Sequence, residues 1–259
     1  MYYPKQLPYL LDQEFKKNIE YREYKSEKLS DYIMCIWSMK SKKISKKTIY
    51  NYILPDACID IVIDLTNKTI QFAGFSNETI PFVLENKIEY LGVRLKPGSF
   101  YFLFNIESNK IMDHPLDILR IEKETDLKKI FQTKERKQQI KAIERYILTK
   151  IKKDKDKKYI QMIDELYKNP NKQTVEELAK KLGYDKRHMF RIFKKQYGFS
   201  PKVLLNIIRL HLCLTLLLEE KKSIQEIMHR CDFYDQSHFI KEIKKYTGYS
   251  PLELIERNW

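Results

Sequence analysis

The apolar positions of this chain change period partway along its length. In "CIDIVIDL" (58–65), Ile59, Ile61 and Ile63 alternate with Asp60, Val62 and Asp64, the two-residue period of a strand with one buried face. Further short runs rich in Ile, Val, Tyr and Phe are "DYIMCIWSM" (31–39), "TIQFAG", "IPFVL" and "IEYLGVRL" (88–95), separated by breakers such as Pro55-Asp56, Thr66-Asn67 and Ser76-Asn77. They predict a small β-sandwich or barrel. After "KPGS" (96–99) the period lengthens. "FYFLFN" predicts a helix capped by Ser99. Residues 125–153 also read as helical, with Leu127, Ile130 and Phe131 on one face and Ile140, Ile143, Ile147 and Ile151 on another. That second stripe serves either the β-rich half or a second copy of the chain.

The charge run "KKDKDKK" (152–158) contains no apolar residue and reads as a linker, although a solvated helix end has the same composition. Beyond it the pattern is helical throughout. Ile160, Ile163, Leu166 and Tyr167 share a face that stops at Asn169-Pro170. Thr174 with Glu177, and Ser223 with Glu226, have capping-box spacing. Asp185 and Asp235 precede basic helices that end at Gly198 and Gly248, and Ser200-Pro201 opens a long apolar helix. The expected architecture is α+β with two domains. The first, residues 1–151, is β-rich with following helices, and the second, residues 159–259, is all-α. The latter holds helix-turn-helix units over about 174–198 and 223–247, joined by a helix over about 201–220.

"RHMFRIFKKQYGFSP" (187–201) and "SHFIKEIKKYTGYSP" (237–251) match at a constant offset of fifty, so one supersecondary unit is written twice. In the first copy Met189, Ile192, Phe193 and Tyr197 are spaced to face a core, leaving Arg187, Arg191, Lys194 and Lys195 outside. In the second, Phe239, Ile243 and Tyr246 turn inward, and Gln236, Ser237, Lys241, Lys244 and Lys245 remain outside. Such helices fit a major groove, where Arg or Lys recognises guanine and Gln recognises adenine, while Lys near the helix ends meets phosphates. Solvation alone accounts for one basic face but poorly for two copies with matching caps. A bridging helix of twenty residues spans roughly 30 Å, close to the ~34 Å between successive major grooves. The net charge of +14 suits a polyanionic partner, yet the basic excess is larger in the first 158 residues than in the rest.

Residues 159–259 resemble the DNA-binding domain of the AraC/XylS family of bacterial transcriptional regulators. "SIQEIMHRCDFYDQSHFIKEIKKYTGYSP" is similar to that family's run of I-x-x-I-A, G-F, D-Q-S-H-F, F-K-K and G-x-S-P. Met228, Asp232 and Ile243 depart from it, standing where the family has Ala, Gly and Phe. The resemblance implies base-reading roles for Arg187, Phe190 and Arg191 in the first helix and for Gln236, Ser237 and Lys241 in the second. It implies backbone contacts for Lys186, His188, Lys194, Lys195, His238, Lys244 and Lys245. Phe190 either touches thymine methyl groups or only packs. "LPDACIDIVID" and "YLGVRLKPGSFYFLF" are similar to β-rich sensor-type domains of one branch of the family, with L-P-D-x-C-x-D and G-V-R-x-x-P-G. Asp56, Asp60 and Arg94 are therefore candidates for an effector pocket; alternation alone makes Asp60 and Arg94 an outward strand face, and Asp56 a turn.

Three function classes follow. The first is an effector-responsive, sequence-specific transcription regulator in the cytoplasm, whose partners are double-stranded DNA, a small molecule, RNA polymerase if it activates, and a second copy if the Ile140–Ile151 stripe pairs. The second is a ligand-independent DNA organiser whose β-rich half only dimerises. The third is an enzyme, for which only a convergence of Asp56, Cys58 and His114 offers any candidate; no catalytic motif is present. No metal or other cofactor is expected, because neither the four cysteines nor the histidines have ligand spacing. No uninterrupted apolar run reaches membrane-spanning length, and no secretory signal is read at the start.

Overall fold

The computed structural model describes residues 4, 6–43, 47–85, 87–112, 114–118, 126–152, 157–168 and 174–258. Two short helices, α1 (Pro8–Leu11) and α2 (Gln13–Asn18), precede the strands β1 (Ile19–Tyr24), β2 (Ile33–Ser41), β3 (Ile49–Ile53), β4 (Ile59–Asp64), β5 (Thr69–Phe72), β6 (Ile80–Leu84), β7 (Glu89–Leu95) and β8 (Leu116–Asp117). Six of them form one antiparallel sheet in the order β1-β2-β7-β4-β5-β8, and β3 pairs with β6 in a second. β1 and β3 were not anticipated from the sequence: "IEYREY" carries three charges, and "IYNYI" is too short to stand out.

The strand alternation sorts the large sheet into two unlike faces. Ile36, Ile61, Ile63, Phe72, Leu91 and Val93 point to one side, each at most 1% exposed, and pack against helices. On the other side, register aligns Glu23, Trp37, Gly92, Val62 and Gln71 in one row. That face is covered in turn by the β3–β6 sheet, so it is interior rather than solvent-facing. Gly92 is required there, because a Cβ at this position would lie 2.3 Å from the Trp37 indole. Without it the ring could not lie flat across the strand.

Helix α3 (Ser99–Phe104) corrects the expected cap. Gly98, at φ 86, is the N-cap, and Ser99 is the first helical residue, its Oγ buried without a hydrogen-bond partner. A side chain at Gly98 would approach the Tyr159 carbonyl and the Tyr197 ring at 3.2 Å. The predicted 125–153 helix is also divided. A 3-10 segment runs over Asp126–Gln132, and α4 covers Arg136–Lys150. The break lies where the Thr133 hydroxyl accepts from the Glu135 amide and the Thr133 carbonyl accepts from Gln139. Ile143 and Ile147 are fully buried in the chain's own core, with Ile140 and Ile151 packed against it. The buried part of the stripe is thereby used within the chain.

Residues 153–156 of the expected linker, and the Asn169-Pro170 stop, lie outside the described residues. Helices α5 (Lys158–Lys168), α6 (Val175–Leu182), α7 (Lys186–Tyr197), α8 (Pro201–Leu218), α9 (Ile224–Cys231), α10 (Gln236–Thr247) and α11 (Pro251–Asn258) complete the fold. Both capping boxes form, through Thr174–Glu177 and Ser223–Glu226. The Asp185 and Asp235 carboxylates accept from the amides of His188 and His238, each at 2.7 Å. By length and composition α8 could cross a bilayer. It is apolar on nearly every side because both helix-turn-helix units pack on it: its first half lies in the core shared with α6, α7 and the large sheet, and its second half in the core around α9, α10 and α11.

Neither core stops at the expected boundary between halves. The sheet's apolar face is continuous with Met189, Phe193 and Tyr197 of α7. The second core takes in Leu7, Leu10, Leu11 and Leu54. At the α7–α8 turn, Phe75 packs edge-on against Phe199, ring centroids 5.0 Å apart, and a Cβ on Gly198 would sit 2.1 Å from the Phe75 ring. Gly183, Gly198 and Gly248 all adopt positive φ at helix ends, yet nothing lies within 4 Å of a Cβ at Gly183 or Gly248. Alanine at those two should cost only the left-handed backbone penalty of ~1–2 kcal/mol. Gly198→Ala should lower stability clearly further, since it also displaces Phe75. Urea melts of the three variants measure the difference, and equal losses would show that Phe75 yields freely.

Candidate nucleic-acid interface and effector cavity

All six predicted base-reading side chains lie on exposed surface: Arg187, Phe190 and Arg191 on α7, and Gln236, Ser237 and Lys241 on α10. Phe190 is 38% exposed, a large apolar side chain left outside the core. Of the faces anticipated below them, Met189, Phe193 and Tyr197 in α7 and Phe239, Ile243 and Tyr246 in α10 are buried, while Ile192 is only half-buried. Arg191 donates from Nη2 to Nδ1 of His188 at 3.0 Å, and the His188 ring packs on Tyr184 at 4.4 Å. His188 thus braces an arginine instead of projecting freely. His238 packs on Phe233 at 5.3 Å but remains exposed.

The predicted phosphate contacts divide. Lys194, Lys244 and Lys245 are exposed near the helix C-termini. Lys186 is exposed and paired with Glu176 at 3.2 Å. Lys195 is different: its Nζ sits 4.7 Å above the Tyr101 ring, so it is turned towards the β-rich half.

One residue of this surface escaped sequence reasoning. The reading helices repeat at an offset of fifty, but Thr174/Ser223, Glu177/Glu226 and Gly183/Asp232 repeat at forty-nine. The second turn therefore holds one extra residue, Tyr234, and it is 99% exposed. Asp232 takes the place of Gly183, at φ 56. The change of offset was visible in the sequence.

Asp56, Asp60 and Arg94 all line one cavity of about 350 Å³ between the two sheets. Asp60 and Arg94 are cross-strand partners on β4 and β7. Asp56 is fixed in the loop before β4, accepting from the Cys58 amide and the Gln6 side chain, each at 2.9 Å. Arg94 is surrounded by carboxylates: its Nε lies 3.4 Å from Asp60 and 3.7 Å from Asp56, and its Nη1 lies 3.9 Å from Glu23. The Trp37 indole donates to Asp60 Oδ2 at 3.0 Å. Asp60 Oδ1 and Arg94 Nε are buried without a hydrogen-bond partner. Burial pushes the Asp60 carboxyl up to about 6, against the pull of Arg94. Burial works against the charge on Arg94, but Asp60, Tyr21 and Asp56 together hold its pKa well above the ordinary value. Burial and then Asp56 raise the Cys58 thiol well above its ordinary pKa, the reverse of what a nucleophilic thiolate requires. Trp37 and Gln6 were not anticipated here; Trp37 becomes legible only when register sets it opposite Gly92.

Three points on the cavity wall are tied to the helical half. His211, fully buried in α8, donates from Nε2 to the Pro55 carbonyl at 2.8 Å. Phe75 meets Phe199. Thr79, between the lining residues Glu78 and Ile80, donates its hydroxyl to the Tyr246 carbonyl of α10.

The raised Asp60 pKa has a definite consequence for stability. A carboxyl whose folded pKa lies above its unfolded value of about 3.9 favours the fold when protonated, and that contribution is lost as pH rises through about 6. Asp60→Asn removes the titration. Wild type should therefore lose stability relative to the variant between about pH 4 and 7, and thermal melts across that window should show the gap change sign or narrow. Parallel melting curves would place the Asp60 carboxyl at an ordinary pKa.

Residues 178–257 match the family model of a helix-turn-helix domain, and residues 24–117 match that of a domain of unknown function, DUF6597. The lactose operon transcription activator of Staphylococcus xylosus is 32% identical over 80 residues, covering 31% of this chain and 29% of that protein. The Msm operon regulatory protein of Streptococcus mutans is 35% identical over 77 residues, covering 30% and 28%. The chain thus spans less than a third of the length of these curated relatives. The crystal structure of ToxT from Vibrio cholerae O395 aligns over 93% of this chain and 98% of its own at 15% identity, with a TM-score of 0.41. The two capped helix-turn-helix units packed on one bridging helix coincide with the match over 178–257, and that part of the chain is a helix-turn-helix domain of the AraC type.

Proposed function

We propose that this chain is a sequence-specific DNA-binding transcription regulator in which α7 and α10 read base edges and the cavity between the sheets receives a small-molecule effector. The observation that carries the reading is the paired exposure of Arg187, Phe190 and Arg191 on one helix and Gln236, Ser237 and Lys241 on its copy. Each set stands on a helix held from below by buried aromatics and fixed at its start by an aspartate cap. Arg191, braced by His188, suits bidentate contact with guanine, and Gln236 suits adenine. Phe190 suits a thymine methyl. Lys194, Lys244 and Lys245 supply phosphate contacts that add affinity without sequence information. Lys195 is left out of this set because of its seat on Tyr101. Tyr234 joins it, since a fully exposed hydroxyl at the mouth of a reading helix can donate to a phosphate.

The regulatory half of the proposal rests on the three wall contacts. Pro55, Phe75 and Thr79 reach the middle of α8, the α7–α8 turn and the end of α10 respectively. A ligand that moves the cavity wall therefore acts on both reading helices through packed groups. The chain acts in this reading without catalysis, as a switch of promoter occupancy.

Arg191→Ala and Lys241→Ala should each weaken specific binding by ~1–3 kcal/mol and relax base preference in separate half-sites. Selection from a randomised duplex library, followed by mobility shifts at fixed salt, measures both effects. Unchanged preference in both variants would remove α7 and α10 as reading helices.

A further inference from the structure

Resting on the reading of the cavity as an effector site, we propose that its ligand is a flat, largely apolar molecule carrying a positively charged nitrogen, and that the cavity discriminates against carboxylates and phosphates of the same shape. The volume of about 350 Å³ suits a compact ligand of one or two fused rings. Trp37, Tyr21, Tyr90 and Phe82 provide aromatic surface along the wall, and Trp37 is held flat by its stacking on Tyr21 and by the absence of a side chain at Gly92. Aromatic faces attract cations through their quadrupole.

Charge decides between ligand classes. A buried arginine in a pocket ordinarily suggests an anion site. Here Arg94 is the only basic side chain lining the cavity among the described residues, against Asp56, Asp60, Asp64 and Glu78. Its guanidinium already has Asp60, Asp56 and Glu23 within 4 Å. An incoming carboxylate would have to approach Arg94 past groups that repel it in a low-dielectric space. An incoming ammonium meets the reverse field. Asp60 Oδ1 accepts no hydrogen bond and is neighboured by Arg94 Nε at 3.4 Å, an ion pair that leaves its acceptor capacity unfilled. With its carboxyl titrating at about 6, Asp60 is ionised at neutral and alkaline pH. Asp64 adds to the field, though its oxygens are engaged by the amides of Thr66 and Asn67 and by the Asn67 side chain.

Three naphthalene compounds of similar shape test the charge preference on the full chain: 1-naphthylmethylamine, 1-naphthylmethanol and 1-naphthoic acid. Titration calorimetry at slightly alkaline pH should rank the amine first, ahead of the acid by about tenfold or more, the scale of one desolvated charge interaction. In Asp60→Asn the amine should lose most of that advantage. Equal or tighter binding of the acid or the alcohol overturns the proposal, as does the absence of binding by all three at millimolar concentration. If Asp60→Asn does not fold, the wild-type ranking alone still decides. Mobility shifts of the same preparation with its selected duplex keep the two readings separate. Specific DNA binding without amine binding removes only the ligand class, whereas amine binding without specific DNA binding removes the regulator.

Discussion

A β-sheet whose strands alternate apolar and polar residues must do something with its polar face, and the rest of this structure follows from how that constraint is met. The apolar face of the six-stranded sheet is buried on helices, including α7 of the first helix-turn-helix unit. The polar face is not given to solvent. It is roofed by β3 and β6, enclosing Arg94 and Asp60 beneath Trp37. Removing an arginine from water costs several kcal/mol unless opposite charge is close by. That cost explains why Asp56, Asp60 and Glu23 gather around one guanidinium. The same gathering leaves a cavity with a net negative lining, so the electrostatic solution to burying Arg94 also sets what the cavity can hold.

The covering sheet brings the second consequence. To roof the polar face, the chain leaves β3 through the Leu54–Cys58 loop, and that loop lands on α8, where His211 meets the Pro55 carbonyl. The segment between β5 and β6 likewise delivers Phe75 to the α7–α8 turn and Thr79 to the end of α10. The β-rich and helical halves are therefore in direct contact. Their cores run into each other, and the segments that close the cavity are the ones that hold the helices.

Much of the helical half is legible in the sequence because its signals are local. Caps, stop glycines and inward aromatics act within four residues of one another, and each fell where the spacing put it, from Thr174–Glu177 to Gly248. The β-rich half was legible as strands but not as a site. Alternation marks Asp60 and Arg94 as sharing a side of the sheet, and only the roof, a feature of long-range pairing between β3 and β6, turns that side into an interior. Ser99 failed as a cap for a related reason. Its sequence context is that of a good N-cap, but the close approach of Tyr159 and Tyr197 leaves room only for Gly98 in that role. The Ile140–Ile151 stripe could not be assigned from periodicity, since a helix face packed on its own sheet and one packed on a second subunit have the same spacing.

The tandem repeat is not fastened symmetrically to the β-rich half. Here the copies differ where the β-rich half touches them. The first is fastened through Gly198 and Phe75, a junction so tight that no Cβ fits. Its counterpart, Gly248, has open space around it, and the second unit is held instead by the Thr79–Tyr246 hydrogen bond and by apolar contacts from α1. Its first turn is also one residue longer, with Asp232 strained into a conformation that Gly183 adopts without cost. Both fastenings thus include buried apolar packing, and the second adds a hydrogen bond worth about 1 kcal/mol net. A displacement of the wall at Phe75 would accordingly reach α7 through side-chain packing, and one at Thr79 would reach α10 through a hydrogen bond to its backbone, so the two copies are tied to the cavity in different ways.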